Sequence, residues 1–141
     1  MKEQENTALI RDMYAAFARG DIQMILDHVT PETDWIFEAP ANVPYGGKRR
    51  GPSEIVGFFQ GLDSSCADMK LSPEHFVAQG DSVTTFGRFS GKAKATGNRF
   101  DVPYGHYFRI QDGKIVHYIN LSDTATLSAV FGAPSSRSAK G

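Results

Sequence analysis

The sequence predicts one α+β domain in which N-terminal helices and a curved, largely antiparallel sheet enclose an apolar pocket. Two helical patterns precede the first strand pattern, and turn signals separate four extended segments from residue 69 onward. With 141 residues, 40% of them hydrophobic and 22% charged, the chain has the size and balance of one globular domain. We expect the domain to span residues 1–133 and the polar, proline-led segment 134–141 to be a flexible tail.

The first two segments have the periodicity of amphipathic helices. The first helix is predicted from Thr7, a suitable N-cap, to Ala18, with Gly20 as the stop. The second opens at Asp21 and is predicted to end at Pro31, because proline disfavours helical geometry in the residue before it. Four apolar residues recur at helical spacing on the first helix: Ile10, Met13, Tyr14 and Phe17.

The middle of the chain predicts a strand, a loop and a third helix. Residues 34–39 are rich in aromatic and β-branched side chains, so they predict a strand with Trp35 and Phe37 on one side. Residues 42–51 carry glycines, a proline and three consecutive cations, which predicts a mobile loop. Pro52 then begins a helix that extends to Leu62.

The clearest strand is residues 100–110, where apolar side chains alternate with polar ones. His106 lies on the apolar side of this alternation. After the turn at Asp112 and Gly113, residues 114–123 form the last strand, whose two faces are both partly apolar. A strand covered on both sides predicts that the outer face of the sheet is buried too. We expect a second copy of the chain to cover it, which gives a homodimer.

The bulk properties exclude several function classes. A net charge of −1 and a pI near 6.4 provide no basic excess for nucleic acid. The single Cys66 excludes an internal disulfide and suits a reducing cytoplasm. No membrane-spanning or secretory segment is evident, so we expect a cytoplasmic protein. The histidines show no metal-ligand spacing, so no metal site is expected. The run at 46–51 lacks the spacing of a phosphate-binding loop, and we expect no cofactor.

Three stretches of the chain resemble one known superfamily. They are Tyr-Ala-Ala-Phe-Ala-Arg-Gly-Asp at 14–21, Arg-Gly-Pro-Ser-Glu-Ile at 50–55 and Phe-Arg-Ile-Gln-Asp-Gly-Lys-Ile at 108–115. The order of elements and these stretches resemble the nuclear transport factor 2-like superfamily, and in particular its SnoaL-like branch of polyketide cyclases, which is related to ketosteroid isomerases. The resemblance implies a cystatin-like α+β barrel with a cone-shaped pocket between sheet and helices, and a dimer.

The resemblance also implies where chemistry lies. The oxyanion-hole acid of the isomerases falls on His106, and a histidine there can exchange protons near neutral pH. The acid that accompanies the cyclases' histidine falls on Asn120, whose amide can orient a carbonyl or a water but cannot be a base. The isomerases' general base falls beside Glu38 and their helix-one phenol beside Tyr14, one residue out of register in each case.

We therefore predict a site at one end of the pocket. Arg88 lies in an apolar strand and needs a carboxylate, either Glu38 or Asp101, so it is either a catalytic residue or part of a structural ion pair. The predicted catalytic residues are His106, Asn120, Tyr118 and Arg88. The predicted substrate-binding residues are Tyr14, Phe17, Trp35, Phe37, Glu38, Tyr45, Phe59, Tyr104, Phe108 and Ser122.

Two functions are compatible with these residues. The first is a cofactor-independent acid–base enzyme of isomerase, cyclase, dehydratase or hydrolase type that acts on a small hydrophobic metabolite. The second is a non-catalytic module of the same fold that binds a small molecule or dimerises. The amide at position 120 favours the module, and a histidine within an apolar strand favours the enzyme.

Overall fold

The computed structural model describes residues 2–132, which form four helices and six strands. The predicted tail at 134–141 lies outside the described residues. The helices are α1 (Lys2–Ala18), α2 (Ile22–Leu26), α3 (Pro52–Ser65) and α4 (Thr124–Phe131). The strands are β1 (Val29–Phe37), β2 (Gly47–Arg50), β3 (Cys66–Gln79), β4 (Ser82–Ala93), β5 (Arg99–Gln111) and β6 (Lys114–Ser122).

The six strands form one mixed sheet in the order β2-β1-β6-β5-β4-β3. The pair β1 and β6 is parallel, and the four other pairs are antiparallel. The sheet curls around α1 and α3, so its concave face and the helices share one core. The predicted α+β class, with N-terminal helices against a curved sheet and a meander of four strands, is confirmed.

The first helix begins earlier than predicted. Thr7 lies inside α1, where its hydroxyl donates a hydrogen bond of 2.8 Å to the carbonyl oxygen of Glu3 instead of capping the helix. The periodicity was still informative, since Ile10 and Met13 are buried. Asp21 caps α2 as predicted, because its carboxylate accepts a hydrogen bond from the backbone N–H of Met24.

Pro31 does not end α2, as the sequence had suggested; it lies inside β1. The helix stops at Leu26, and the pairing of β1 with β6 is irregular between Val29 and Asp34. Proline cannot donate a ladder hydrogen bond, so it is tolerated where the pairing is interrupted. Beyond this irregularity the prediction was right, since Trp35 and Phe37 are both buried on the inner face.

Part of the predicted loop at 42–51 is an edge strand. Residues 47–50 form β2, which pairs with β1 in antiparallel register. The cations that indicated a mobile loop are held by partners: the guanidinium of Arg50 donates to both carboxylate oxygens of Asp34, at 3.0 and 3.3 Å. Charged side chains are typical of edge strands, and the same charges led the sequence pattern to predict a loop here.

The helix α4 was not predicted. Asp123, taken as the end of the last strand, is its N-cap and accepts hydrogen bonds from the backbone N–H and the hydroxyl of Thr126. Leu127 and Phe131 lie four residues apart and are buried, and this spacing was the available signal. Between Lys2 and Gly132 no helix is both long and apolar enough to cross a membrane.

Candidate functional site

The register of three neighbouring strands places three polar side chains in one row across the concave face. Thr85 of β4 is the Cα partner of His106 of β5, which in turn is the partner of Asn120 of β6. Directly opposed residues share a face of the sheet, so all three side chains point toward the helices. The row lies in the core, because Thr85 is fully buried and His106 is 6% exposed.

A narrow cavity opens between this face and the helices. The cavity has a volume of about 70 Å³, which is room for several waters or a small ligand group. No residue in its lining carries a formal charge when His106 is neutral. The lining consists of Ile10, Met13, Tyr14, Phe17, Ile25, Trp35, Phe37, Tyr45, Phe58, Phe59, Leu62, Leu71, Phe89, Tyr104, His106, Phe108, Tyr118, Asn120, Ser122 and Leu127.

His106 is held by a hydrogen bond from α1. The hydroxyl oxygen of Tyr14 lies 2.7 Å from Nδ1 of His106 and also forms a hydrogen bond with the hydroxyl of Thr85. Burial disfavours the charged imidazolium and lowers the pKa of His106 from 6.5 to about 3. The imidazole is therefore neutral at physiological pH, and each of its nitrogens is either a donor or an acceptor.

Aromatic rings form the walls of the cavity. The rings of Trp35 and Tyr118 stack with centroids 3.9 Å apart, and those of Tyr104 and His106 stack at 4.0 Å. Burial raises the pKa of the phenols of Tyr14 and Tyr118, so both are protonated in the physiological range. The walls are flat, neutral and suited to a flat, apolar ligand.

The amide of Asn120 is oriented by a neighbour on the same strand. The hydroxyl of Ser122 donates a hydrogen bond of 2.6 Å to Oδ1 of Asn120. Because this oxygen is already an acceptor, the amide has its N–H groups left to offer. Asn120 can thus donate to an oxygen of a bound molecule, but it brings no titratable proton.

Three polar atoms of the lining lack a hydrogen-bond partner among the described residues. They are Nε1 of Trp35 and the hydroxyl oxygens of Tyr45 and Tyr104. A buried donor without a partner costs about 1–3 kcal/mol. These three atoms have almost no accessible surface, so they lie sealed within the walls and do not face the open part of the cavity.

The structure brings together most of the residues that the sequence singled out, with two exceptions. All the predicted substrate-binding residues except Glu38 line the cavity, and so do His106, Asn120 and Tyr118. The catalytic roles of these three stay predictions.

Arg88 and Glu38 do not lie in the cavity lining. Arg88 alternates with the inward-facing Gly87 and Phe89, so it points outward, where its Nε lies 2.8 Å from the carboxylate of Asp101. The ion-pair interpretation of Arg88, with Asp101 as partner, was the correct one. The side chain of Glu38 is 76% exposed and lies 3.8 Å from Lys48.

Sequence reasoning missed Thr85, which holds Tyr14. The signal was the alternation of β4, in which Val83, Thr85 and Phe89 share the inner face. It also missed the helix residues that close the cavity, because helix-to-sheet packing is not visible in a local pattern. Those missed are Ile10, Met13, Ile25, Phe58, Leu62 and Leu127, together with Leu71 and Phe89 from the sheet.

Comparison with known proteins agrees with this architecture. The family model of the SnoaL-like domain matches residues 10–118. The chain belongs to the SnoaL-like domain family. The matched range extends from α1 to β6 and includes Thr85 and His106, so it contains most of the cavity.

Solved structures share the fold over nearly the whole SnoaL-like domain. A nuclear transport factor 2-like protein from Burkholderia thailandensis is 28% identical with a TM-score of 0.82, covering 91% of this chain and 98% of its own. TerC, crystallised with polyporic acid, is 25% identical with a TM-score of 0.81, covering 92% of this chain and 99% of its own.

A more distant structure shows the fold alone. A putative SnoaL-like polyketide cyclase from a Jannaschia species is 19% identical with a TM-score of 0.79, covering 94% of this chain and 95% of its own. Among proteins with curated descriptions, none matches the sequence significantly. The comparisons thus establish family and fold.

Proposed function

We propose that this SnoaL-like domain binds a small hydrophobic molecule in the cavity and transforms it by cofactor-independent acid–base chemistry. The reaction is of isomerase, cyclase, dehydratase or hydrolase type. The observation that carries the proposal is the hydrogen bond between Tyr14 and Nδ1 of His106, at 2.7 Å, within an uncharged aromatic cavity. Burying a polar pair of this kind is costly, and buried polar groups with perturbed pKa values cluster at functional sites.

The lining supports a ligand that is neutral, flat and oxygen-bearing. The cavity offers no charged side chain to pair with an ionic group, so an ion would lose its hydration without compensation. The amide N–H groups of Asn120, which lines the cavity, favour an acceptor oxygen on the ligand. TerC was crystallised with polyporic acid, so small flat quinones that stay neutral, such as 2-methyl-1,4-naphthoquinone, are a rational first probe.

The row of polar side chains supports the reaction. A neutral imidazole at His106 can donate or accept a proton at the ligand. Asn120 and Tyr118 orient the ligand from the adjacent strand β6, since both line the cavity beside His106. The apolar walls keep water away and so strengthen each hydrogen bond inside the cavity.

Trp35 allows a direct test of binding. It is the only tryptophan in the sequence and lines the cavity, so its fluorescence reports occupancy without a label. We expect small neutral quinones such as 2-methyl-1,4-naphthoquinone to quench this fluorescence saturably. A Trp35 signal indifferent to such probes, together with a freshly purified protein that carries no small molecule in native mass spectrometry, would contradict the proposal.

Turnover is tested with the ligand that native mass spectrometry identifies. We expect the wild-type protein to convert it and His106→Gln to bind it without converting it. Arg88→Gln is the matched control, because Arg88 lies outside the cavity on the same sheet. A His106→Gln variant with full turnover would exclude the acid–base role of this residue.

A non-catalytic binding module is the second candidate. It is favoured by Asn120, which stands where the cyclases have an acid, and by the uncharged lining. In that case wild-type protein and His106→Gln both release the ligand chemically unchanged. The same incubation therefore separates the two candidates.

We also propose a homodimer through the outer face of the sheet. Phe86 and Leu121 are 48% and 68% exposed, and they flank Gly105 in one cross-strand row. Large apolar side chains exposed in one row are typical of an interface between subunits.

A cytoplasmic location is part of the same proposal, supported by the single cysteine, Cys66, which is buried as a free thiol.

A further inference from the structure

The hydroxyls of Thr85 and Tyr14 and the imidazole of His106 form a chain with a countable number of protons. Tyr14 shares one hydrogen bond with Thr85 and one with Nδ1 of His106. Neutral His106 carries one ring proton, and each hydroxyl carries one. These three groups have three protons to donate but form only two hydrogen bonds with one another. One of the three donors therefore has no acceptor within this hydrogen-bonded chain.

Only one of the three groups can place this remaining proton where a ligand or water can accept it. Thr85 has no exposed surface, and the neighbouring hydroxyl of Tyr104 forms no hydrogen bond with it. If His106 donated from Nδ1 to Tyr14, the unused proton would lie on Thr85 or on Tyr14, neither of which has a further partner among residues 2–132. A buried hydroxyl left in this way loses its hydrogen bond to water without replacement.

The second ring nitrogen of His106 is different. Nε2 forms no hydrogen bond with any of the described residues. Unlike the buried polar atoms that lack a partner, it keeps some surface that a water-sized sphere can reach. It therefore opens onto the cavity that His106 lines. A proton on Nε2 can be met by a ligand or by water, whereas a proton on Thr85 cannot.

We infer that Thr85 donates to Tyr14 and Tyr14 donates to Nδ1 of His106, so that His106 is held as the tautomer with its proton on Nε2. His106 then presents a hydrogen-bond donor to the cavity, and its ligand places an acceptor oxygen there, as a ketone, quinone or aldehyde would. Tyr14 and Thr85 are positioning residues. The assignment of the tautomer follows from the hydrogen-bond count, since hydrogens on a histidine are inferred from their partners.

The inference narrows the chemistry of the proposed function, on which its ligand part rests. A donor at Nε2 stabilises negative charge that develops on a carbonyl oxygen, which is the acid side of acid–base chemistry. It does not supply the lone pair that a general base needs. Among the possible ligands, carbonyl compounds are therefore favoured over hydrocarbons and over compounds that bear only donors.

The tautomer is measured on the free protein by NMR. Two-bond proton–nitrogen correlations of the ¹⁵N-labelled full chain distinguish a protonated from an unprotonated ring nitrogen, and His106→Gln assigns the resonances. We expect Nε2 to be protonated and Nδ1 to be an unprotonated acceptor. A proton on Nδ1 in the wild-type protein would overturn the inference whatever the variants do.

Variants test the two positioning residues by the same signal. Tyr14→Phe should move the Nδ1 resonance toward that of a nitrogen without a hydrogen bond. Thr85→Val should move it part of the way, and Thr85→Ser should restore it. Tyr118→Phe is the control, since Tyr118 contacts the ring of His106 without a hydrogen bond to it. An Nδ1 resonance indifferent to Tyr14→Phe contradicts the proposed chain.

A pair of isosteric probes tests the ligand part. Acetophenone carries an acceptor oxygen, whereas α-methylstyrene has a methylene group in its place, and the indole resonance of Trp35 reports the binding of either. We expect the wild type to bind acetophenone about 3- to 10-fold more tightly, as one hydrogen bond allows, and His106→Phe to bind both equally. Equal affinities in the wild type overturn the donor role. If neither probe binds, the proposed ligand site is contradicted, and the NMR result still decides the tautomer.

Discussion

A Cβ atom on Gly87 would lie only 2.1 Å from the carbonyl oxygen of Ser72 on the neighbouring strand. The pairing of β3 with β4 is irregular between Pro73 and His75, directly beside this contact. The hydroxyl of Tyr104 would lie 2.9 Å from the same Cβ. Because Gly87 has no side chain, the backbone of β3 at Ser72 can approach β4 closely, next to the hydroxyl of the cavity residue Tyr104.

Gly87→Ala should therefore destabilise the protein by about 2–3 kcal/mol, because overpacking against backbone forces a strand to move. Gly105→Ala is the matched control on the next strand, where the nearest contact, the ring of Phe86 at 3.4 Å, is of ordinary van der Waals length. Urea unfolding of both variants measures the difference. Equal midpoints for the two variants would show that the close approach at Gly87 is not a constraint.

His106 predicts a loss of stability in acid. Its folded pKa of about 3 lies below its ordinary value of 6.5, so the unfolded chain binds the proton more readily between these limits. The contribution of the neutral ring is complete above pH 6.5 and decreases as the pH falls toward 3, by up to ~1.4 kcal/mol per pH unit.

The comparison with His106→Gln isolates this contribution, because the other titrating groups are common to both proteins. Between pH 7 and pH 5 the wild type should lose about 2 kcal/mol more of its free energy of unfolding than the variant. Parallel curves for the two proteins would mean that His106 titrates without a burial penalty.

Leu121 tests the homodimer. Its side chain is 68% exposed, so Leu121→Asp should leave the fold intact while placing a charge in the proposed interface. We expect the wild type to run as a dimer in sedimentation or light scattering and Leu121→Asp as a monomer. Gln60→Glu, which adds the same charge on an exposed position of α3, should remain a dimer. A monomeric wild type would refute the interface.

Asn42 anchors the C-terminal helix. Its amide nitrogen donates to the carbonyl oxygens of Ser128, at 2.8 Å, and Gly132, at 2.6 Å, and its oxygen accepts from the hydroxyl of Ser128. Because these carbonyls lie near the end of α4, Asn42→Ala should cost about 1–3 kcal/mol. Asn98→Ala, which removes one exposed contact of 3.4 Å to Val130, should cost less than about 0.5 kcal/mol in the same thermal unfolding assay.

Substitution of Arg88 should have little effect on ligand binding in the cavity. Its pair with Asp101 is on the outer face, with the two side chains 47% and 63% exposed, and exposed pairs contribute about 0–1 kcal/mol. Arg88→Gln is expected to keep the Trp35 fluorescence response to ligands unchanged. A weakened response would assign Arg88 a role that its position does not explain.

Several elements were predictable because their determinants are local. The alternation in residues 100–110 placed His106 on the inner face, and the helical spacing on α1 placed Tyr14 toward the core. Pro52 marked the start of α3. In each case the period of side-chain direction decides which residues are buried, and that period is visible in the sequence.

Other elements were not predictable because a distant partner decides them. The segment Gly47–Arg50 is a strand because β1 lies beside it, and Pro31 lies in β1 because the pairing is interrupted there. The partner of Arg88 follows from the register of β4 with β5, which places Asp101 diagonally across from it on the outer face. Tertiary pairing overrides local preference at such positions.

By itself the sequence determined the α+β class, the aromatic walls and the presence of one histidine within an apolar strand. Only the tertiary structure decided what that histidine can do. Tyr14 and His106 are 92 residues apart in the chain and 2.7 Å apart in space, and Thr85 reaches them from a third element. A hydrogen bond depends on distance and direction between folded elements, so the proton count that defines this site exists only after the sheet has closed on α1.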